Sequence, residues 1–371
     1  MADHLIPTAG LHRWVVELWL AAGSGAREAS LTADHLVGAN LAGHDSHGVG
    51  MLPRYVQSFL NDELKLNQKV ELVTDSGSLV TVDGKRGMGQ SVTFQAMDIA
   101  IARAKANGVC VMGLKNAHHL GRVGHWAEQA VSEGLISIHF TNAVSRPAMV
   151  APHGGAEGRF LTNPFTVGIP KANGQGEHLV LDFATSAIAH GKVRVAYNKK
   201  VPVPEGCLID VNGIATNDPA VMFERAVGRS SQGTGALVAA AGHKGYALAM
   251  VCELLGAALT GGETAQPEHL NMTYGIWNNM LALVFDPERL GTSGYFDKEV
   301  ASFVKWVKSA PLRPGFDAIL MPGDPERAAR KQRAKLIPID SSTLNQLDQA
   351  AQSIQERKGQ SPGALSALQA G

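Results

Sequence analysis

Gly108-Val109-Cys110-Val111-Met112-Gly113-Leu114 is followed by Asn116-Ala117-His118-His119-Leu120-Gly121, then by Arg122–Glu133 and by Leu135-Ile136-Ser137-Ile138-His139-Phe140-Thr141. The first segment is a short apolar run of strand length. Arg122–Glu133 has the length of a helix, and Leu135–Thr141 again reads as a strand. Strand, helix and strand in this order predict an α/β layer. The histidine-bearing segment falls in the strand-to-helix loop, where α/β proteins place functional groups.

The same texture extends outward. Ser91–Ala106 is an Ala-rich helix, and Val70–Val73 and Ser78–Val82 predict strands around the turn Asp75-Ser76-Gly77. Downstream, Phe165–Ile169, Leu179–Phe183 and Leu281–Phe285 read as strands, Asn198–Asn217 as loop and Lys244–Leu259 as helix. The two chain ends differ. Leu11, Val15, Leu18 and Ala22 recur at helical spacing, a second helix is expected from the N-cap Thr32 to a stop at Gly43, and a third from Pro53 to Leu60. From Asp297 the chain reads as helical again, with a polar tail after about Gly359.

Composition narrows the function classes. The 371 residues carry 33 Lys plus Arg against 33 Asp plus Glu, and 45% are hydrophobic. A disordered chain needs the opposite balance, and a nucleic-acid binder working through a global basic field needs net positive charge. The only cysteines, Cys110, Cys207 and Cys252, cannot all pair, which points to a reducing compartment, the cytoplasm. No secretion signal frames Trp14–Ala22, and no run reaches the ~20 apolar residues of a membrane span. A neutral chain also suits a homo-oligomer that hides apolar surface.

The usual nucleotide signatures are absent: there is no G-x-G-x-x-G after a strand and no P-loop, and Gly87-Met88-Gly89 reads first as a tight turn. Histidines are more informative. His44 and His47 flank Asp45-Ser46, and His118, His119, His153, His190 and His243 sit beside Gly, Asn or other loop residues. Imidazole is the side chain suited to proton transfer near neutrality. Each alone is as readily a surface or capping residue, but together they point to chemistry. A metal reading of His44-x-x-His47 finds neither His-Glu-x-x-His nor paired cysteines, so no metal is expected. Asp182 closes the strand Leu179–Phe183 and is either an N-cap for a following helix or an acid acting on a catalytic partner, with Thr185 and Ser186 donating to a ligand. Lys244 opens a helix, against the macrodipole, and a bound phosphate would offset that cost.

Six segments together resemble the malate/L-lactate dehydrogenase type 2 family. They are Gly43–Val49, Asn116–Gly121, Thr162-Asn163-Pro164, Asp182–Ala187, Gly242–Gly245 and Pro322-Gly323-Asp324, in that order over roughly residues 10 to 340. Ala39–Gly48, Val201–Pro204 and Gly206–Gly213 resemble the hydroxycarboxylate dehydrogenase B group within it. The resemblance implies a non-Rossmann α/β fold: a mixed-sheet cofactor domain, residues 76–289, beside a helical domain built from both chain ends, 1–75 plus 290–371. It implies a homodimer and NAD or NADP as cofactor. The reaction implied is hydride transfer at C2 of a 2-oxo or 2-hydroxy acid. No nucleic-acid or membrane partner is expected.

By position, the resemblance makes His47 the acid/base, with Asp182 and Ser46 assisting it. It carries cofactor contacts onto Asp182, Phe183, Ala184, Thr185, Ser186, Ala187 and Ile188, onto His243 and Lys244, and onto Gly323, Asp324 and Pro325 near Arg327 and Arg330. His119 and Thr162 match substrate-pocket positions. Many members have Arg where this chain has Met51, so the substrate carboxylate needs another holder: Arg54, Arg146, His119 or backbone N–H groups. Met51 is pliable and apolar, which suggests a pocket for aryl or long-chain 2-oxo acids. A ketimine reductase of the same fold and, from another class, a His-based metal-dependent hydrolase are the rival readings.

Overall fold

The computed structural model describes residues 3–145, 147–171, 176–223, 235–292 and 294–368. The chain opens with β1 (Asp3–Pro7), α1 (Thr8–Ala22), α2 (Ala26–Leu41) and α3 (Leu52–Leu60). It continues through β2 (Glu71–Asp75), β3 (Leu79–Asp83), α4 (Gly89–Asn107), β4 (Val109–His118), α5 (Gly124–Ser132), β5 (Ile136–Val144), β6 (Phe165–Ile169) and β7 (Leu179–Phe183). Then come α6 (His190–Lys199), the two-residue strands β8 (Leu208–Ile209), β9 (Ala215–Thr216) and β10 (Ala236–Leu237), α7 (His243–Gly256) and β11 (Trp277–Phe285). It closes with α8 (Tyr295–Lys308), α9 (Asp324–Arg333), β12 (Leu336–Asp340) and α10 (Ser341–Lys358).

Seven strands form one mixed sheet in the order β2-β3-β4-β11-β5-β6-β7. Only β3 and β4 run parallel; every other neighbouring pair is antiparallel. β11 is the last of these strands in sequence, yet it is threaded between β4 and β5, and eight of its nine residues are paired on both sides. The helix–strand alternation of the sequence is therefore real, but the strands it joins are separated by β11.

Three large packed clusters build most of the core, beside a small one of Val144, Met272 and Trp277. Ile6, Leu11, Trp14, Leu36, Tyr55, Ile337, Leu347 and Leu365 belong to one that draws on both chain ends. Val82, Met97, Leu114, Trp126 and Met280 belong to another, between the sheet and α4 and α5. A third gathers Val150, Phe160, Val193, Leu208 and Leu237. Chain start and chain end are stitched by β1 and β12, antiparallel from Asp3 opposite Asp340 to Pro7 opposite Leu336. These two strands were not foreseen. Each is five residues long and contains proline, which a two-stranded edge pairing tolerates.

Two other expectations change. The second helix starts at Ala26 after the extended Gly25, not at Thr32. Thr32 sits inside it and donates its hydroxyl to Glu28 O at 2.8 Å. The polar tail is anchored: Leu365 is fully buried, Trp14 Nε1 donates to Gly363 O, and Asp348 accepts the Leu365 N–H. Among the described residues no helix is long and apolar enough to cross a membrane.

Candidate active site

α2 ends at Leu41 with Ala42 as its C-cap, and Gly43 turns the chain with φ +83°. Two short 3-10 turns follow, Asp45–His47 and Val49–Met51. Asn40, still on α2, holds them. Its Nδ2 donates to Asp45 Oδ1 at 2.7 Å and its Oδ1 accepts the Val49 N–H at 2.8 Å. Gly48 packs so closely on that carboxamide that a Cβ there would lie 2.2 Å from Asn40 Oδ1. Arg333 of α9 adds a bond to Asp45 Oδ1 at 2.7 Å. His44 turns to α9, with Nε2 3.0 Å from Glu326 Oε1, so its imidazole does not converge with that of His47. Among the described residues no three His, Cys, Asp or Glu side chains are grouped to hold a metal ion.

His47 is the centre of the site. Its Nδ1 lies 3.0 Å from Ser46 Oγ, and its ring stacks on that of His119 with centroids 5.7 Å apart. His119 Nδ1 is in turn 2.6 Å from the Tyr55 hydroxyl, to which Gln90 also donates. Burial pushes His47 down to about 4, with the Asp182 charge pulling upward against it. Burial also holds His119 well below the ordinary imidazole value and raises the Tyr55 phenol, so Tyr55 is a neutral hydrogen-bonding partner. His118, the adjacent histidine, faces the other way. It is fully buried edge-on to Tyr55, and burial lowers it to about 3.

Asp182 comes from the edge strand β7. Its Oδ1 accepts the Thr166 hydroxyl and its Oδ2 accepts the Gly124 N–H, both at 2.8 Å. It thus caps the first residue of α5, not a helix following its own strand. Among the described residues no direct hydrogen bond joins it to His47, and its charge raises the His47 imidazole against the effect of burial. Arg122 lies beside it: a Cβ built on Gly124 would sit 2.5 Å from Arg122 Nη1 and 2.7 Å from Asp182 Oδ2. That guanidinium is buried and pairs with Glu128, which Arg330 also holds. Arg122, Tyr55, Gln90 and Asn40 are not among the expected site residues. Arg122, next to the Gly121 of one motif, and Asn40, inside the Ala39–Gly48 segment, carry a local signal.

The remaining expected positions divide between two places. Thr185 donates to Thr162 O and Asn163 O, and Ser186 donates to Ile188 O, so both hydroxyl protons are taken up by the backbone. Asp182 and Phe183 end β7, and Ala184–Ile188 follow it. Ala187 lines a cavity of about 640 Å³, together with Gly154, Gly155, Gly213, Ala239 and Gly242. The cavity reaches Ala241 and Gly242, the N-cap of α7, and His243 and Lys244 follow in the first turn without lining it; the His243 ring is 5.9 Å from that of His153, which does line it. Gly323 lies elsewhere, in a small cleft lined also by Arg122, Asp182, Arg327 and Arg330, and Asp324 and Pro325 follow it as the first residues of α9. There Asp324 accepts the Met321 N–H and pairs with Arg327, and Arg330 pairs with Glu128. Both arginines beside this expected cofactor segment are already matched by carboxylates. Met51 packs against the helical core and stays half-buried. Arg54 is held by Tyr274 O at 2.7 Å, Ser145 Oγ at 2.5 Å and Gly275 O at 3.4 Å, bonds that use its Nε and Nη2. Arg146 lies outside the described residues.

A crowded imidazole has a serine on one ring nitrogen, a second imidazole stacked on it and the charge of a β7 carboxylate acting on it; these are groups suited to proton transfer. A glycine-lined cavity lies elsewhere in the same chain. Residues 6–348 match the model of the malate/L-lactate dehydrogenase family, to which this chain belongs. It is 44% identical to the hydroxycarboxylate dehydrogenase B of Escherichia coli over 95% of both chains. Its fold is similar to that of the sulfolactate dehydrogenase of Methanocaldococcus jannaschii, with a TM-score of 0.82, 30% identity and coverage of 96% of this chain and 100% of that one. It is similar too to the delta1-piperideine-2-carboxylate reductase of Pseudomonas syringae, with a TM-score of 0.79, 27% identity and coverage of 94% and 99%. The chain is an oxidoreductase of the dehydrogenase kind.

Proposed function

We propose that this chain is an NAD(P)-dependent 2-hydroxycarboxylate dehydrogenase that works as a 2-oxo-acid reductase, with His47 as the acid/base. The observation that carries the reading is the His47 ring itself. Ser46 engages Nδ1, His119 stacks on one face, and no hydrogen bond among the described residues occupies Nε2. In reduction Nε2 gives its proton to the carbonyl oxygen, and in oxidation it takes the hydroxyl proton away. The Asp182 charge favours the imidazolium that the first step consumes and the second produces.

A nicotinamide dinucleotide, when bound, supplies or accepts the hydride. The residues of the α7 cavity fit such a group. Its volume lies in the range of about 300–1,000 Å³ usual for ligand sites, and it meets the N-terminus of a 14-residue helix whose first turn carries Lys244. Amides and dipole at such a terminus favour a phosphate. The reading holds for NAD and NADP alike.

The substrate carboxylate has a candidate partner in Arg54, which pairs with no carboxylate among the described residues and keeps Nη1 apart from the bonds that fix its other nitrogens. The N-terminus of α6 closes the same region: a Cβ on Gly191 would lie 2.6 Å from Ser46 Cβ. Met51, in place of the family arginine, leaves an apolar wall for aryl or long-chain substituents. In this reading residues 1–75 with 290–371 form one unit and 76–289 the other, and the reaction takes place between them. The enzyme acts in the cytoplasm, where its three free, buried cysteines stay reduced. Two copies associate through exposed apolar surface that includes α8. The likeness to the piperideine-carboxylate reductase favours, as second reading, reduction of a cyclic imino acid on the same site.

The test is a panel of 2-oxo acids and cyclic imino acids with NADH and with NADPH, followed by loss of reduced-nicotinamide absorbance. Turnover of phenylpyruvate above pyruvate supports the aryl pocket, and imino acids alone would transfer the assignment to the second reading. His47→Ala is expected to lower turnover by about 10²–10⁴-fold while cofactor affinity is kept. Unchanged turnover would remove His47 as the acid/base.

A further inference from the structure

His35 has no place in the chemistry above, yet its surroundings are built around it. It lies on α2, is 1% exposed, and its Nε2 accepts the Arg122 N–H at 2.9 Å. Its ring packs against His125, with centroids 4.5 Å apart, and against Trp126 at 5.0 Å. A Cβ on Gly121 would sit 2.1 Å from the same Nε2, and Gly121 has φ +73°, so only glycine permits this approach. As Nε2 accepts, the proton is on Nδ1, which has no hydrogen-bond partner among the described residues. Burial, the neighbouring His125, the Arg122 charge, and then His119 and His47 hold the ring far below the ordinary imidazole value, which keeps it neutral and accepting.

The segment that His35 grips is the one that matters to the site. His119 precedes it by two residues, Arg122 stands against Asp182, and Gly124 donates its N–H to Asp182. Five residues further along the same helix, Asn40 grips the other histidine loop through Asp45 and Val49. One helix therefore holds both loops whose rings stack at 5.7 Å.

We propose that His35 and Asn40 are positioning residues, and that α2 acts through them as a common splint setting the spacing of His47, His119 and Asp182. His35 does so as a hydrogen-bond acceptor for the Arg122 N–H, and filling space alone would not replace it. The proposal rests on His47 as the acid/base. A misplacement on the order of 1 Å at a reacting group costs about 10²-fold in rate, which sets the size of the expected effect.

The test compares His35→Leu, which fills space without an acceptor, with His35→Gln, which restores one, in the full chain. Amide hydrogen exchange at Arg122 and steady-state kinetics are read together. His35→Leu is expected to speed exchange at Arg122 and to lower kcat by about 10²-fold with little change in the KM for the cofactor. His35→Gln is expected to recover most of both. Gly121→Ala, which pushes the segment off His35, is expected to match His35→Leu and decides the matter if the leucine variant does not fold. Equal impairment in the glutamine and leucine variants, or wild-type exchange in His35→Leu, overturns the proposal. If the unaltered chain turns over no 2-oxo or imino acid, the proposed function fails, and exchange at Arg122 still judges the acceptor role.

Discussion

An imidazole serves proton transfer only while both of its charge states can be reached. With His47 lowered to about 4, the neutral form dominates at pH 7 and the Asp182 charge limits the shift. For 2-oxo-acid reduction, kcat/KM is therefore expected to rise as pH falls from 7 towards 5, while oxidation holds a plateau there. Asp182→Asn is expected to move the acid limb lower. A reduction rate independent of pH over this range would argue against His47 as donor. The same sign governs stability. Burial lowers His118 and His139 to about 3, and His125 and His190 to about 4. The unfolded chain, with imidazoles near about 6.5, binds more protons between these values. Stability is then full above about pH 6.5 and lost as pH falls towards the folded values. The urea midpoint is expected to fall between pH 6.5 and 4, and less steeply in His139→Met. At this scale the histidines were legible because loop histidines beside glycine are a chemical signal. Tyr55 and Gln90 were not, because nothing in a helical heptad tells a site-facing polar residue from a core one.

Among the elements, α8 has no buried residue, and Tyr295, Phe303 and Trp306 are 65%, 61% and 70% exposed. Apolar surface of this kind marks an interaction site. Phe303→Asp combined with Trp306→Asp is expected to convert a dimer into monomers by sedimentation equilibrium. A monomeric wild type at micromolar concentration would dispose of the dimer. The sheet strands β2, β3, β5, β6 and β7 were legible from period and turn residues. β4 runs on through Asn116, at φ +54°, to His118, and places His118 within a strand that local pattern ended at Leu114. β11 pays out the missing pairing for it: Trp277 lies opposite His118, with a register shift after Asn278. A strand end of this kind depends on its partner, and the partner comes some 160 residues later.

Across the whole molecule, β1, β12 and the core around Ile6, Trp14 and Leu365 tie the chain ends together and carry the helices that present His35, Asn40 and Tyr55. Ile6→Ala is expected to cost about 2–5 kcal/mol in denaturant unfolding and to weaken activity with it, since α2 and α3 rest on that core. A change under 0.5 kcal/mol, the range of an exposed site, would show that this core is not shared. Residues 1 to 371 by themselves determined the α/β class, the helical ends, the family and the identity of His47, His119 and Asp182 as candidates. The class and the helical ends follow from local period and turn chemistry, and the family and these candidates from resemblance across six short ordered segments. Tertiary structure alone decided that β11 occupies the middle of the sheet and that Arg327 and Arg330 are neutralised by carboxylates. It also decided that Asp182 caps α5, and that His35 and Asn40 on one helix grip both histidine loops. Those are contacts between side chains tens to hundreds of residues apart, and they exist only once packing has brought their elements within hydrogen-bonding distance.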